Sequence, residues 1–131
     1  MKKTGILHSL LSESVAMFGH GDGLVIGDAG MPIPDGPRRI DLAVARGIPS
    51  FEQVLRATLT ELHVERAVLA QETLQHSPAV AELLADLLPG IPVEVVSHEE
   101  LKARSADARV MVRTGEFTRY ANVLLIAGVV F

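Results

Sequence analysis

The sequence contains no cysteine and no tryptophan. Without cysteine there is no disulfide, no thiolate metal site and no cysteine nucleophile. One tyrosine and four phenylalanines are the only large aromatic residues, and they form no platform on which single-stranded nucleic acid would stack. Basic residues are in deficit, with 12 Lys and Arg against 16 Asp and Glu and a formal net charge of −4. Those cations are scattered, so the electrostatic footprint of a nucleic-acid binder is missing. No apolar run reaches the ~18 residues that a membrane-spanning helix requires. The longest, Val123 to Phe131, is broken by Gly128. The basic start Met1-Lys2-Lys3-Thr4-Gly5 is followed by only Ile6 and Leu7 before polar residues return. A signal peptide needs a longer apolar stretch, so the expected location is the cytoplasm.

What the chain does have is hydrophobic mass: 48% of 131 residues. The length suits one domain, 1–131, with room for a real core. The apolar share exceeds what a monomer of this size readily hides, which predicts a homo-oligomer.

Short strand-like runs occur at Leu24 to Gly27, Ala67 to Ala70, Val93 to Val96, Val110 to Val112 and Val123 to Ala127. Most are continuously apolar, which implies burial on both faces. Helical spacing lies between them, with Phe51, Val54, Leu55, Leu59 and Leu62 on one face and Val80, Leu83, Leu84, Leu87 and Leu88 on another. Ser50 with Gln53, and Ser97 with Glu100, have capping-box spacing, and Ser77-Pro78 predicts a cap followed by proline in the first turn. The alternation predicts an α/β fold: a three-layer α/β/α domain around a mixed, largely parallel sheet. One connection is unusually long. Ala29 to Arg39 holds three prolines and two glycines in eleven residues, stiff enough to serve as a pocket wall or to pack on itself as a surface excursion.

In open α/β sheets ligands collect beyond the carboxyl ends of strands. That rule selects Asp28, Gln71, Glu72, Ser97 and His98. If the last strand runs antiparallel, Tyr120, Ala121 and Asn122 before it join the same edge. Asp28, His98, Tyr120 and Asn122 would then form a polar set suited to hydroxyl groups. Each residue has a plainer role open to it. Asp28 suits a turn before Ala29-Gly30, His98 the first residue of a capped helix, Tyr120 a core ring, Asn122 a turn and Glu72 a helix cap.

His20 stands in Gly19-His20-Gly21-Asp22-Gly23, after a helical face of Leu11, Val15 and Phe18 that Gly19 would terminate. There a histidine serves either as a cation near a helix end or, with glycines opening the backbone, as a group a ligand approaches. His8, His63 and His76 have no comparable setting. The Gly19-x-Gly21-x-Gly23 spacing precedes a strand, whereas a phosphate loop leads from strand to helix. No Walker A sequence and no Gly-x-Ser-x-Gly elbow is present. His20, Asp22, Asp28 and His98 lack close-paired ligand spacing, so no metal and no cofactor is expected.

Gly19-His20-x-Asp22, then Leu24-Val25-Ile26-x-Asp28-Ala29-Gly30-Met31-Pro32-Ile33-Pro34, resembles the signature of the D-ribose pyranase and L-fucose mutarotase family. Arg39 to Ala43, Gly47 to Phe51, Arg113-Thr114-Gly115-Glu116, Tyr120-Ala121-Asn122 and the closing Ala127 to Phe131 are similar to its ribose branch. The likeness spans essentially the whole chain. It implies His20 as the catalytic acid–base residue, and Asp28, His98 and Tyr120 to Asn122 on the sugar. It further implies interconversion of pyranose and furanose D-ribose and a ring-shaped decamer with sites at subunit interfaces. A fucose mutarotase and a non-catalytic ribose-binding accessory of a transport system are the alternatives. Arg119 stands where the pattern has proline, and the stretch between Leu88 and Val93 is shorter than in some relatives. His20 and Asp28 flank one strand, so either the glycine-rich turn folds back or two subunits complete one site.

Overall fold

Four of the five apolar runs, all but Val93 to Val96, are shared between two faces of one sheet in the computed structural model, which describes residues 1–131. The elements are α1 (Ser9–Met17), β1 (Gly23–Gly27), β2 (Arg38–Asp41), α2 (Phe51–Leu59), β3 (Val64–Ala70), α3 (Gln71–His76), α4 (Pro78–Leu87), β4 (Val93–Val96), α5 (His98–Ser105), β5 (Val110–Arg113) and β6 (Val123–Ala127). Leu24 and Ile26 of β1, with Val123 and Leu125 of β6, enter a core cluster completed by Leu11, Phe51, Leu55 and Leu84. Val25, Leu124 and Ile126 point the other way, onto Leu101 of α5 and Met31. Side chains alternate along a strand, so only a strand covered on both sides reads as continuously apolar. The three layers and the mixed sheet follow the expectation, but the coverage is unequal. Helices α1, α2 and α4 contribute to the larger cluster and α5 alone among the helices to the smaller.

The strand order is β2-β5-β1-β6-β3-β4. β6 is antiparallel to both β1 and β3, while β1–β5, β2–β5 and β3–β4 are parallel. Five strands therefore share one direction and β6 alone is reversed, which brings its start to the edge where the others end.

Several local expectations are corrected. β2 is a strand inside what reads as the tail of a long loop. Only Ile40 of Arg38–Asp41 is buried, the pattern of an edge strand with little apolar signal. Gly19 does not terminate α1: Phe18 does, in an extended conformation, with its N–H on the Val15 carbonyl. Ser50 and Gln53 complete a reciprocal capping box. Ser97 achieves half of one, accepting the Glu100 N–H, because the Glu100 carboxylate is drawn to Arg104. Ser77 precedes Pro78 as expected but makes no cap with its side chain. His8, which had no assigned role, caps α1 by accepting the Leu11 N–H on Nδ1 at 3.3 Å. β4 is exposed along three of its four residues, because it closes the sheet at an edge.

Candidate functional site

A cavity of about 620 Å³ opens at the carboxyl edge of the sheet. Asp28 to Pro32 form one wall, Arg113 and the segment Glu116 to Tyr120 another, and His98 and Asn122 reach in from α5 and the start of β6. The reversed β6 is the reason residues 94 positions apart meet there: Asn122 Nδ2 donates to Asp28 Oδ2 at 3.0 Å. In return, Asn122 Oδ1 accepts the Asp28 backbone N–H at 2.9 Å. Asn122 is 1% exposed, so the pair is shielded and its loss would strand buried polar groups. Gly27 makes the approach possible, since a Cβ there would lie 2.9 Å from both Asn122 Oδ1 and Met31 Cβ. The other Asp28 oxygen, Oδ1, accepts the Gly30 N–H. Asp28 thus plays its turn role and faces the cavity at once.

Tyr120 lines the cavity with its backbone at φ 61°, the single positive φ outside glycine. Its ring centroid lies 5.1 Å from that of His98, edge to face. His98 begins α5 and lines the cavity, so the capped-helix role and the pocket role coincide. The Glu72 carboxylate accepts the His98 backbone N–H at 2.8 Å, which ties α3 to α5 and gives Glu72 a supporting place. His98 Nδ1 is buried without a hydrogen-bond partner. Ala121 is fully buried and belongs to the larger core cluster rather than the cavity wall. Arg119 stands in the wall as a cation. The proline-rich loop divides its roles: Ala29 to Pro32 face the cavity, and Met31 anchors them at 6% exposure.

Two further wall residues, Arg113 and Glu116, lie at and just past the end of β5. Arg113, the last residue of β5, donates to the Ala29 carbonyl and to both oxygens of Asp41, bracing the loop against β2. Glu116 accepts N–H groups from Phe51, Phe117 and Thr118. Burial pushes its carboxyl up, but the Thr118 hydroxyl and these backbone donors outweigh it and hold the group below the ordinary glutamate value. Extending the strand-end rule past β5 would have found both.

His20 lies at the opposite edge. Ala127, the last residue of β6, exchanges backbone bonds with Gly21 and Asp22 there, so the glycine-rich turn does not fold back. The five residues of β1 alone separate the edges by about 16 Å. His20 Nε2 pairs with Glu65 Oε2 at 2.7 Å, and the two side chains are 62% and 35% exposed. Asp22 takes the Gly19 N–H and pairs with Arg109, and both interactions hold its carboxyl below the usual range. Gly21 has φ 84°, a conformation that suits glycine there. His20 and Asp22 are thus separated from Asp28 and His98, and no group of three potential metal-ligating side chains forms.

The family model described as the RbsD / FucU transport protein family matches residues 1–130. The chain belongs to this family. Family relatives include proteins named D-ribose pyranase from Symbiobacterium thermophilum, 60% identical, and from Chloroflexus aggregans, 57% identical. Each comparison covers all of both chains. Among solved family structures, Bacillus subtilis RbsD complexed with D-ribose superposes at TM-score 0.97 with 44% identity, covering both chains fully. A fucose mutarotase in complex with L-fucose from Streptococcus pneumoniae superposes at 0.83 with 22% identity, a likeness of fold.

Proposed function

We propose that this chain is a D-ribose pyranase, an isomerase that interconverts β-D-ribopyranose and β-D-ribofuranose. The observation that carries this reading is the polar set Asp28, His98, Tyr120 and Asn122 converging at one cavity. It occurs in a chain that matches proteins of that name over its whole length. Such side chains and backbone groups suit a ligand made of hydroxyls, and no permanent charge on the ligand is called for.

Pyranose opening needs a proton delivered to the ring oxygen and another removed from the anomeric hydroxyl. The open aldehyde then rotates, and the C4 hydroxyl attacks the carbonyl in place of the C5 hydroxyl. Proton count and oxidation state are unchanged, so acid–base groups suffice. Histidine suits the task because both of its protonation states are accessible near neutrality. General acid–base catalysis supplies about 10²–10⁴-fold, and sugar rings already open slowly in water.

In this reading His20 moves the protons and the cavity holds the hydroxyls. With the two on opposite edges of one chain, the working site joins the cavity of one copy to His20 of the next. A head-to-tail contact of this kind closes into a ring when the rotation allows, consistent with a decamer. No helix is long and apolar enough to cross a membrane, and the proposed setting is cytoplasmic ribose catabolism.

Saturation-transfer NMR on D-ribose and L-fucose tests the proposal. The expected result is faster exchange between ribopyranose and ribofuranose signals, with a smaller effect on fucose. Ribose binding without any acceleration would favour the accessory role instead, which the family's description as transport proteins keeps in view.

A further inference from the structure

The turn that carries Tyr120 is held from outside the cavity. A positive φ costs a residue with a side chain on the order of 1–3 kcal/mol and persists where the surroundings over-determine it. Here the surroundings are the corner between α3 and α4. Thr73 Oγ1 donates to the Tyr120 carbonyl at 2.7 Å, and Ser77 Oγ donates to the Arg119 carbonyl at 2.6 Å. These carbonyls belong to the two peptide planes that flank the Tyr120 Cα. Peptide groups are rigid plates, so fixing both plates fixes φ and ψ between them. Thr73 is 0% and Ser77 5% exposed, so both donor hydroxyls are shielded from bulk water.

The corner forgoes something for this. Ser77 precedes Pro78, the first residue of α4, where a serine ordinarily caps the helix with its hydroxyl. No such bond forms, and a cap of that kind is worth ~1 kcal/mol. A local rule broken beside a site marks a competing demand. On the same turn of chain, the His76 ring lies 5.6 Å from the Tyr120 ring, while His98 meets it from α5.

We propose that Thr73 and Ser77 are positioning residues for the sugar site: their hydroxyls set the backbone of Tyr120 and so aim its ring into the cavity. The proposal rests on reading that cavity as the ribose site.

Tyr120 is the only tyrosine and the chain has no tryptophan, so tyrosine fluorescence and the tyrosine band of the near-ultraviolet circular dichroism, which lies to longer wavelength than the phenylalanine bands, report on this residue alone. The variants are Thr73→Val and Ser77→Ala, with Thr73→Ser as the hydroxyl-preserving rescue. Thr58→Val is the control, because its buried hydroxyl donates to the Val54 carbonyl at 2.8 Å within α2. Without ligand, Thr73→Val and Ser77→Ala change the Tyr120 signal, whereas Thr73→Ser and Thr58→Val preserve it. By calorimetry, losing either hydroxyl weakens D-ribose binding about tenfold, the scale of one shielded hydrogen bond. Thr58→Val melts lower but binds as the unaltered chain does. An unchanged Tyr120 signal, or a changed signal with unchanged ribose affinity, overturns the positioning role. If D-ribose leaves the Tyr120 signal of the unaltered chain unmoved, the site reading itself falls, which the ligand-free signals distinguish from failure of the clamp.

Discussion

The two edges of the sheet are built in different ways. At the carboxyl edge, buried side chains bond to neighbours of the same edge, Asn122 with Asp28, Thr114 with the Gly27 carbonyl and Thr73 with the Tyr120 carbonyl, and only His98 Nδ1 is left without a partner. At the amino edge, His20 with Glu65 and Arg109 with Asp22 are ion pairs in which His20 and Arg109 are mostly exposed. Buried, mutually satisfied networks are rigid and costly to break, while exposed ion pairs contribute ~0–1 kcal/mol. In the proposed reading, the first edge is a prebuilt receptor and the second holds His20 in the open, where a neighbouring copy would cover it.

The sharpest way to break this contrast is His20→Ala. Sugar exchange should fall by about 10²–10⁴-fold, while ribose affinity and thermal stability barely change, as calorimetry and melting would register. Co-expression with Asn122→Ala goes further. If each site joins two copies, a random mixture restores about a quarter of the sites, half of the cavities times half of the histidines. A mixture no more active than its parts would place the whole site within one chain. Asn122→Ala alone acts at the buried edge, leaving Asp28 groups unpaired. It should cost about 1–3 kcal/mol in denaturant unfolding and abolish measurable ribose binding.

Acid separates the edges more gently. Glu116 and Asp22 both sit below their ordinary values when folded. Their stabilisation is complete above the unfolded values and is lost as pH falls through the folded ones. Glu116→Gln should shrink the drop in melting temperature on acidification, in low and high salt alike. Asp22→Asn should shrink it too, chiefly through the lost carboxylate acceptor of the Gly19 N–H, with only the smaller share owed to the Arg109 pair fading in high salt. Smallest of all, Arg109→Ala should change neutral stability by less than ~1 kcal/mol, and a larger loss would show the amino edge to be more than a surface.

The strands and the site were legible in the sequence to different depths. Val93 to Val96 and Val123 to Ala127 were read with their observed limits because turn residues bound them on both sides. β2 was invisible: three of its four residues are exposed, and its place beside β5 comes from pairing with a strand far along the chain. Asp28, His98, Tyr120 and Asn122 could be selected by the strand-end rule, but only on the condition that β6 runs backwards. Nothing in Val123 to Ala127 states its direction, since a strand covered on both faces reads the same either way.

Tyr120 shows the limit most clearly. The sequence by itself determined four of the five two-faced strands, the helix faces apart from Leu62 and Leu88 that fall beyond the helix ends, the Ser50 capping box and the family, because these depend on periodicity and on residues near one another in the chain. Only the tertiary structure decided that Ser77 would hold Arg119 rather than cap its own helix, that Thr73 would fix Tyr120, and that His20 would face away from Asp28. Those outcomes depend on which distant groups compete for the same donor. That competition is settled by packing across the sheet, where residues 47 and 94 positions apart become neighbours.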